Sequence, residues 1–313
     1  MKQTVLITGG TGLVGKTLTK KLVKKGYNVV ILTRNTNDKK QRENISYASW
    51  DVEKQEIDIA AIKQADQIIH LAGAAVVEKK WTAAYKKEIQ DSRTESSRLI
   101  IETLKNNDNK VKTIISASAI GWYGGDDHKA LPFTEEAPAD ESFLGHTCKL
   151  WEAGIEPVTY LGKRLVKLRI GIVLSNDGGA LVEFKKPLRL GVAAILSNGK
   201  QMVSWIHIDD LCNMFIDAME KEDLSGSYNA VAPNPVSNKL LTLTLAKAMK
   251  GKFFIPMHVP AFVLKLMMGQ RSVEVLKSAT VSCKKILDTG FEFKFKTIDA
   301  AMEDLAETTD QHS

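Results

Sequence analysis

Apolar residues recur along this chain in two rhythms, and the alternation between them sketches a fold. Short apolar runs at 4–8, 28–33, 67–73, 113–118 and 165–174 read as strands buried on both faces, with a shorter candidate at 45–48 before Trp50 and Asp51. Between them the apolar positions take helical spacing. Leu18, Leu22 and Val23 share one face of a segment that Gly26 ends, and Leu99, Ile100 and Leu104 form a stripe on a long helix predicted over 82–105. Strand, helix, strand in repetition predicts an α/β fold: a doubly wound parallel sheet over 1–174.

After residue 174 the pieces shorten. Gly178, Gly179 and Gly191 interrupt the pattern. The run Ser204-Trp205-Ile206-His207-Ile208-Asp209-Asp210 reads as a short strand with an Asp cap, opening a helix with Leu211, Phe215, Ile216 and Met219 inward. Ser237 or Asn238 is the expected cap of the next helix, and the alternation of Phe291, Phe293 and Phe295 reads as a half-buried strand. Residues 175–313 are therefore expected to form a smaller mixed α/β C-terminal lobe, with a compact unit from about residue 256. A strand near 204–231 is expected to return to the main sheet, and 308–313 to fray.

The first turn carries the candidate chemistry. Thr8 leads into Gly9, Gly12 and Gly15, between a clear strand and a clear helix. Without a Cβ, those positions admit unusual backbone angles and the close approach of a phosphate. The N–H groups and the positive helix end then face a pyrophosphate, which is the chemistry of a dinucleotide site. The second strand ends in Thr33-Arg34-Asn35, with no acid before Asp38. A carboxylate there would accept from a ribose 2′-hydroxyl, whereas a guanidinium pairs with a 2′-phosphate, so NADP(H) is expected over NAD(H). His70 lies inside an apolar run and reads as a satisfied core histidine. The same bland reading is preferred for His207.

Composition narrows the class. In 313 residues, 44% hydrophobic content supports a sizeable core, and no apolar run approaches a membrane span. The start of the chain shows no charged-then-apolar leader, so a soluble cytoplasmic protein is expected. Cys148, Cys212 and Cys283 are far apart, lack metal spacing and read as free thiols. The net charge of +6 suits an anionic ligand, but Lys20, Lys21, Lys24 and Lys25 read as a solvated helix face. No basic stripe with aromatics suggests nucleic acid. A small-molecule substrate is the expected partner, with no membrane partner. A homodimer stays open, because dimer helices look like ordinary amphipathic ones.

Several longer strings extend the picture: Gly9 to Gly15, Ser92-Arg93, Ser116-Ala117-Ser118-Ala119-Ile120-Gly121-Trp122-Tyr123-Gly124, Trp151-Glu152, Arg169-Ile170-Gly171-Ile172-Val173-Leu174, Ser204-Trp205-Ile206-His207 and Ala232-Pro233-Asn234-Pro235-Val236. With them the chain resembles the extended short-chain dehydrogenase/reductase superfamily. Within it, the chain resembles the atypical YfcH-like sugar nucleotide epimerase branch, and the tail from Val259 looks like the small C-terminal domain found there. The resemblance implies a Rossmann-like domain with NADP(H) held by Gly9, Thr11, Gly12, Leu13, Val14 and Gly15, by Thr33 and Arg34, by Leu71, Ala72 and Gly73, and by Glu88, Arg93, Ser116 and Glu152. Arg93 is read either as a cation for a phosphate or as a surface partner of Glu88 or Glu95. The Asn234-Pro235 loop would line the substrate side.

The superfamily works through a Tyr-x-x-x-Lys pair with a nearby Ser or Thr, the tyrosinate moving a proton while hydride moves at the nicotinamide. That pair is absent. Counting back from Glu152 puts Leu144 at the Tyr position and Cys148 at the Lys position, and a shift of one gives Gly145 and Lys149. Ser118, or Ala119 in another register, stands near the hydroxyl position, and Tyr123 and Lys149 are the candidate replacements. Two functions follow: an oxidoreductase or epimerase acting on a sugar nucleotide or similar small polar substrate, or an NADP(H)-binding sensor or interaction protein without redox turnover.

Overall fold

The element order begins β1 (Thr4–Thr8), α1 (Leu13–Lys24), β2 (Asn28–Thr33), β3 (Ile45–Asp51), β4 (Glu56–Ile57), α2 (Ile59–Gln64), β5 (Gln67–His70), α3 (Ala83–Asn106), β6 (Thr113–Ala119), α4 (Phe143–Ile155) and β7 (Arg164–Ile170). It continues with β8 (Ile172–Leu174), α5 (Ala180–Arg189), β9 (Val192–Leu196), β10 (Met202–Val203), β11 (Trp205–His207), α6 (Ile208–Glu220), β12 (Gly226–Ala230) and β13 (Val236–Ser237). Last come α7 (Asn238–Lys250), β14 (Ile255–Val259), α8 (Ala261–Met268), α9 (Ser272–Leu276), α10 (Lys284–Leu287) and α11 (Ile298–Glu307). This computed structural model describes residues 2–37, 39, 41–126 and 131–307, so Asp38 and the tail at 308–313 lie outside the described residues.

The main sheet runs in the order β12-β7-β6-β5-β1-β2-β3-β4 and is parallel apart from the short β4. Its period of two explains the continuous apolar strands. Val5 and Ile7 of β1, Val29 and Ile31 of β2 and Ile115 of β6 join the core on one face. Leu6, Val30, Leu32 and Ile114 join the core on the other. Both faces are covered, as a parallel sheet requires. A third core under α7 and α11 gathers Leu174, Leu181, Trp205, Leu241 and Met302.

Three local expectations change. The run 165–174 is two strands rather than one. β7 pairs with β12 and β8 with β11, and the chain switches partner at Gly171. There a Cβ would lie 2.6 Å from the Ser204 carbonyl oxygen, so only glycine lets the two backbones approach. Phe291, Phe293 and Phe295 do alternate buried with exposed neighbours, but they form no strand. The buried Asp210 carboxylate accepts from the Lys294 and Phe295 amides, both at 2.9 Å, and replaces a ladder partner. Each buried phenyl ring contributes roughly 1.5–3 kcal/mol, which pins the tail. Consequently Asp210 is not the cap of α6. The His207 side chain is, accepting from the Asp209 amide at 3.1 Å. Ser237 caps α7 as expected.

The ends of β1 and β5 are locked together by one hydroxyl. Thr8 Oγ1 accepts from the Leu71 and Ala72 amides at 3.1 Å each, so its own proton goes to His70 Nδ1 at 2.7 Å. Ser96 and Ser97 both donate to the Arg93 carbonyl, which leaves them as acceptors for His70 Nε2–H at 3.3 Å. The proton order is thereby determined: His70 is the neutral Nε2–H tautomer. Burial, with the nearby Arg93 charge, holds its pKa down at about 3. The unfolded chain takes up this proton below about pH 6.5 and the folded chain does not, so stability falls as the pH drops through that window. Denaturant midpoints measured from pH 6.5 to 4.5 are expected to fall with a contribution of up to about 1.4 kcal/mol per pH unit, a contribution missing in His70→Asn.

Candidate functional site

The sheet order reverses at β1, which sits between β5 and β2, so a crevice opens beyond the carboxyl ends of these strands. The glycine turn lies at its base. Gly9 has φ +68°, Gly12 N donates to the Gly9 carbonyl at 3.0 Å, and a Cβ on Gly15 would strike that same oxygen at 2.4 Å. Helix α1 begins without a side-chain cap and without an acid in its first turn. In contrast α2, α3, α4 and α7 are capped by Asp58, Thr82, Ser142 and Ser237. The first-turn amides of α1 thus face outward with the positive end of the helix dipole, a site suited to an anion. Thr11 and Gly12 are exposed there, and Leu13 and Val14 are half-buried.

A second glycine turn joins the first. α5 also starts uncapped, at Gly179, and a Cβ on Gly178 or Gly179 would touch the Leu13 side chain at 3.5 and 3.4 Å. The sequence reading took this pair only as an interruption. The available signal was a helix start with no Ser, Thr, Asp or Asn before it.

At the end of β2, Thr33 Oγ1 donates to the Asn35 carbonyl at 3.2 Å. Arg34 is exposed and makes no hydrogen bond or ion pair among the described residues. Beyond β5, the amides of Leu71 and Ala72 are already spent on Thr8, and Gly73 lies against the Arg93 guanidinium. Arg93 is not the surface partner of Glu88 or Glu95. It is buried, donates to the carbonyls of Ala74 and Ile89 at 3.1 and 2.8 Å, and stacks 4.7 Å from the Trp151 ring centroid. Glu88 is exposed and meets Lys79 at 3.5 Å, and Glu95 pairs with Arg98.

The face where acid and base were sought is a closed polar network. Arg169 reaches Glu152 through Nε at 2.8 Å and Nη2 at 3.1 Å, and donates to the Tyr123 hydroxyl at 2.9 Å. Its guanidinium lies 3.7 Å over the Trp122 ring. Ser118 donates to Glu152 Oε1 at 2.7 Å, and Ser227 donates to Oε2 at 3.2 Å. Tyr123 donates to Asn229 Oδ1 at 2.7 Å and stacks on Phe133, with ring centroids 5.1 Å apart. Burial pushes the Tyr123 hydroxyl up to about 12. Ser116 lies within β6, donating to the Ala117 carbonyl at 3.1 Å. Lys149 is on the exposed side of α4, while Cys148, Trp151 and Glu152 face inward. Burial pushes the Cys148 thiol up to about 12 as well, so it holds its proton at neutral pH. The Asn234 side chain donates to the Lys296 carbonyl at 2.8 Å, holding the tail. Among the described residues no cluster of His, Cys, Asp or Glu suits a metal ion.

Removing the Tyr123 hydroxyl leaves Asn229 Oδ1 without its donor. Tyr123→Phe is expected to cost about 1–3 kcal/mol in a urea unfolding curve and to leave nucleotide affinity unchanged.

Comparison with known proteins agrees with this geometry. Residues 5–148 match the NAD dependent epimerase/dehydratase family, and residues 259–305 match a domain of unknown function, DUF1731. An epimerase family protein of Staphylococcus aureus is 36% identical, covering 97% of this chain and 99% of its own. The human epimerase family protein SDR39U1, crystallised with NADPH, superposes with a TM-score of 0.84 at 27% identity, over 97% of this chain and 99% of that one. A nucleoside-diphosphate sugar epimerase from Corynebacterium glutamicum gives 0.77 at 29% identity, over 98% of this chain and 58% of that one. The chain therefore belongs to the NAD-dependent epimerase/dehydratase family, in the group that carries the DUF1731 domain at its C-terminal end.

Proposed function

We propose that the chain binds NADP(H) in preference to NAD(H) and acts as an oxidoreductase or epimerase on a sugar nucleotide or a similar small polar substrate. The observation that carries the cofactor choice is Arg34: an exposed guanidinium, without a partner among the described residues, directly after β2, where an acid would select a ribose hydroxyl. The uncapped start of α1 fits the pyrophosphate. Support also comes from the human relative, crystallised with NADPH, and from the Corynebacterium relative, named as a nucleoside-diphosphate sugar epimerase.

On this reading the bound nicotinamide supplies the hydride acceptor or donor. The chain's own residues do the positioning. The α1 amides and Arg34 hold the two charged ends, and Arg93 braces the Gly73–Ala74 backbone at the crevice wall. Ser118, Tyr123 and Lys149 are not placed as proton carriers, since two are engaged internally and one faces out. NADP(H) binding without redox turnover is the second reading, and the family relationship does not favour it. NADPH oxidation, or interconversion within a panel of sugar nucleotides, separates the two.

Titration with NADPH and NADH tests the cofactor choice. Arg34→Ala is expected to weaken NADPH roughly tenfold to hundredfold, the value of a charge-assisted bidentate contact, with NADH unchanged. Equal affinity for both cofactors in the unsubstituted protein would remove the assignment.

A further inference from the structure

The charge of this chain is concentrated. It carries 43 Lys and Arg against 37 Asp and Glu, and residues 224–273 hold six of those cations and none of the acids. The whole formal excess of +6 therefore lies in that stretch, and the rest of the chain balances. Lys239, Lys247, Lys250, Lys252, Lys265 and Arg271 form no ion pair among the described residues, so this positive charge is not neutralised within the fold.

The exposed apolar side chains gather in the same place. Phe253 is 88% exposed, Leu266 85%, Phe262 71% and Met267 69%. Along the eight residues of α8 only Leu264 is buried. Phe262 and Leu266, four apart, share one face of that helix. Directly before α8, β14 pairs only with β9, and its residues from Ile255 to His258 are exposed. Side chains this exposed project into water and do not line a closed groove, and together they exceed the scattered apolar residues of an ordinary surface.

We infer that α8 and β14, with the lysines around them, form a docking surface for an anionic lipid bilayer. Apolar tips enter the headgroup boundary while the cations meet lipid phosphates, and the long Lys and Arg stems let the charges reach outward from an apolar patch. Charge selects this occupant over a second copy of the chain, because a two-fold contact would set Lys250, Lys252, Lys265 and Arg271 near their own images. The binding is peripheral: no helix among the described residues is long and apolar enough to cross a membrane. This departs from the sequence expectation of no membrane partner, which weighed only spanning segments.

Co-flotation of the full chain with lipid vesicles tests the inference. The protein is expected to float with vesicles of phosphatidylcholine and phosphatidylglycerol at about 7:3, to stay behind with phosphatidylcholine alone, and to be released at about 0.5 M salt. The doubles Phe262→Ser/Leu266→Ser and Lys250→Gln/Lys252→Gln are each expected to lose at least about tenfold in vesicle affinity, with far-ultraviolet circular dichroism confirming that both fold. No flotation on the anionic vesicles at low salt overturns the inference, and so does flotation that neither double weakens. Conversion of a dimer to a monomer by the apolar double, with vesicle binding unaltered, assigns the patch to a second copy instead.

Discussion

One buried guanidinium sets the terms for the rest of this molecule. Arg169 is 3% exposed, and an unpaired charge at such a depth would cost several kcal/mol. The fold surrounds it with acceptors: both oxygens of Glu152, the Tyr123 hydroxyl, the Glu135 carbonyl and the ring face of Trp122. Those partners sit on α4 and on the turn and loop that follow β6, and through Ser118, Ser227 and Asn229 the network reaches β6 and β12. A single charge thus binds the carboxyl ends of three neighbouring strands to the helix that covers them. Removing Glu152 leaves the Arg169 guanidinium buried without a counter-charge, whereas removing Arg169 leaves Glu152 with Lys167, 3.8 Å away, as its remaining cation.

That arrangement has a functional consequence. In short-chain dehydrogenases the hydroxyls beyond this strand and the first turns of this helix point at the nicotinamide. Here Ser118 and Tyr123 donate hydrogen bonds to Glu152 and Asn229, and the helix carries Leu144 and Cys148, or in the neighbouring register Gly145 and Lys149, in place of a Tyr and Lys pair. The cofactor cradle shows the opposite economy. The α1 amides have no side-chain cap, two glycine turns meet at Leu13, and Arg34 has no partner among the described residues. Unsatisfied donors in one place and fully satisfied ones a few residues away distinguish a surface prepared for a ligand from one closed upon itself.

The sequence made some of this legible and hid the rest for physical reasons. β1, α1 and β2 could be read because a short apolar run, a glycine turn and an amphipathic helix are local signals. His70 was legible too, since an imidazole inside a buried strand must find internal partners. Nothing local joins Glu152 to Arg169, or Tyr123 to an Asn229 more than a hundred positions away, so the role of Tyr123 could not be weighed from its neighbours. The depth of Arg93, buried rather than paired on the surface, was hidden because helical spacing does not say how deep a face lies. The break at Gly171 was hidden because β7 and β8 are both apolar, and only the backbone of Ser204 decides where the chain must change partners. Alternating phenylalanines resembled a strand because burial alone produces that rhythm, whoever takes the backbone hydrogens.

The central claim is that the acid/base face has become internal scaffold while the nucleotide cradle stays open. A crystal structure of the NADPH complex tests it most directly. The pyrophosphate is expected on the α1 amides, with Tyr123 still bonded to Asn229 and Arg169 and Ser118 still bonded to Glu152. A structure in which either hydroxyl has left those partners and lies within hydrogen-bond reach of the nicotinamide ring would contradict it.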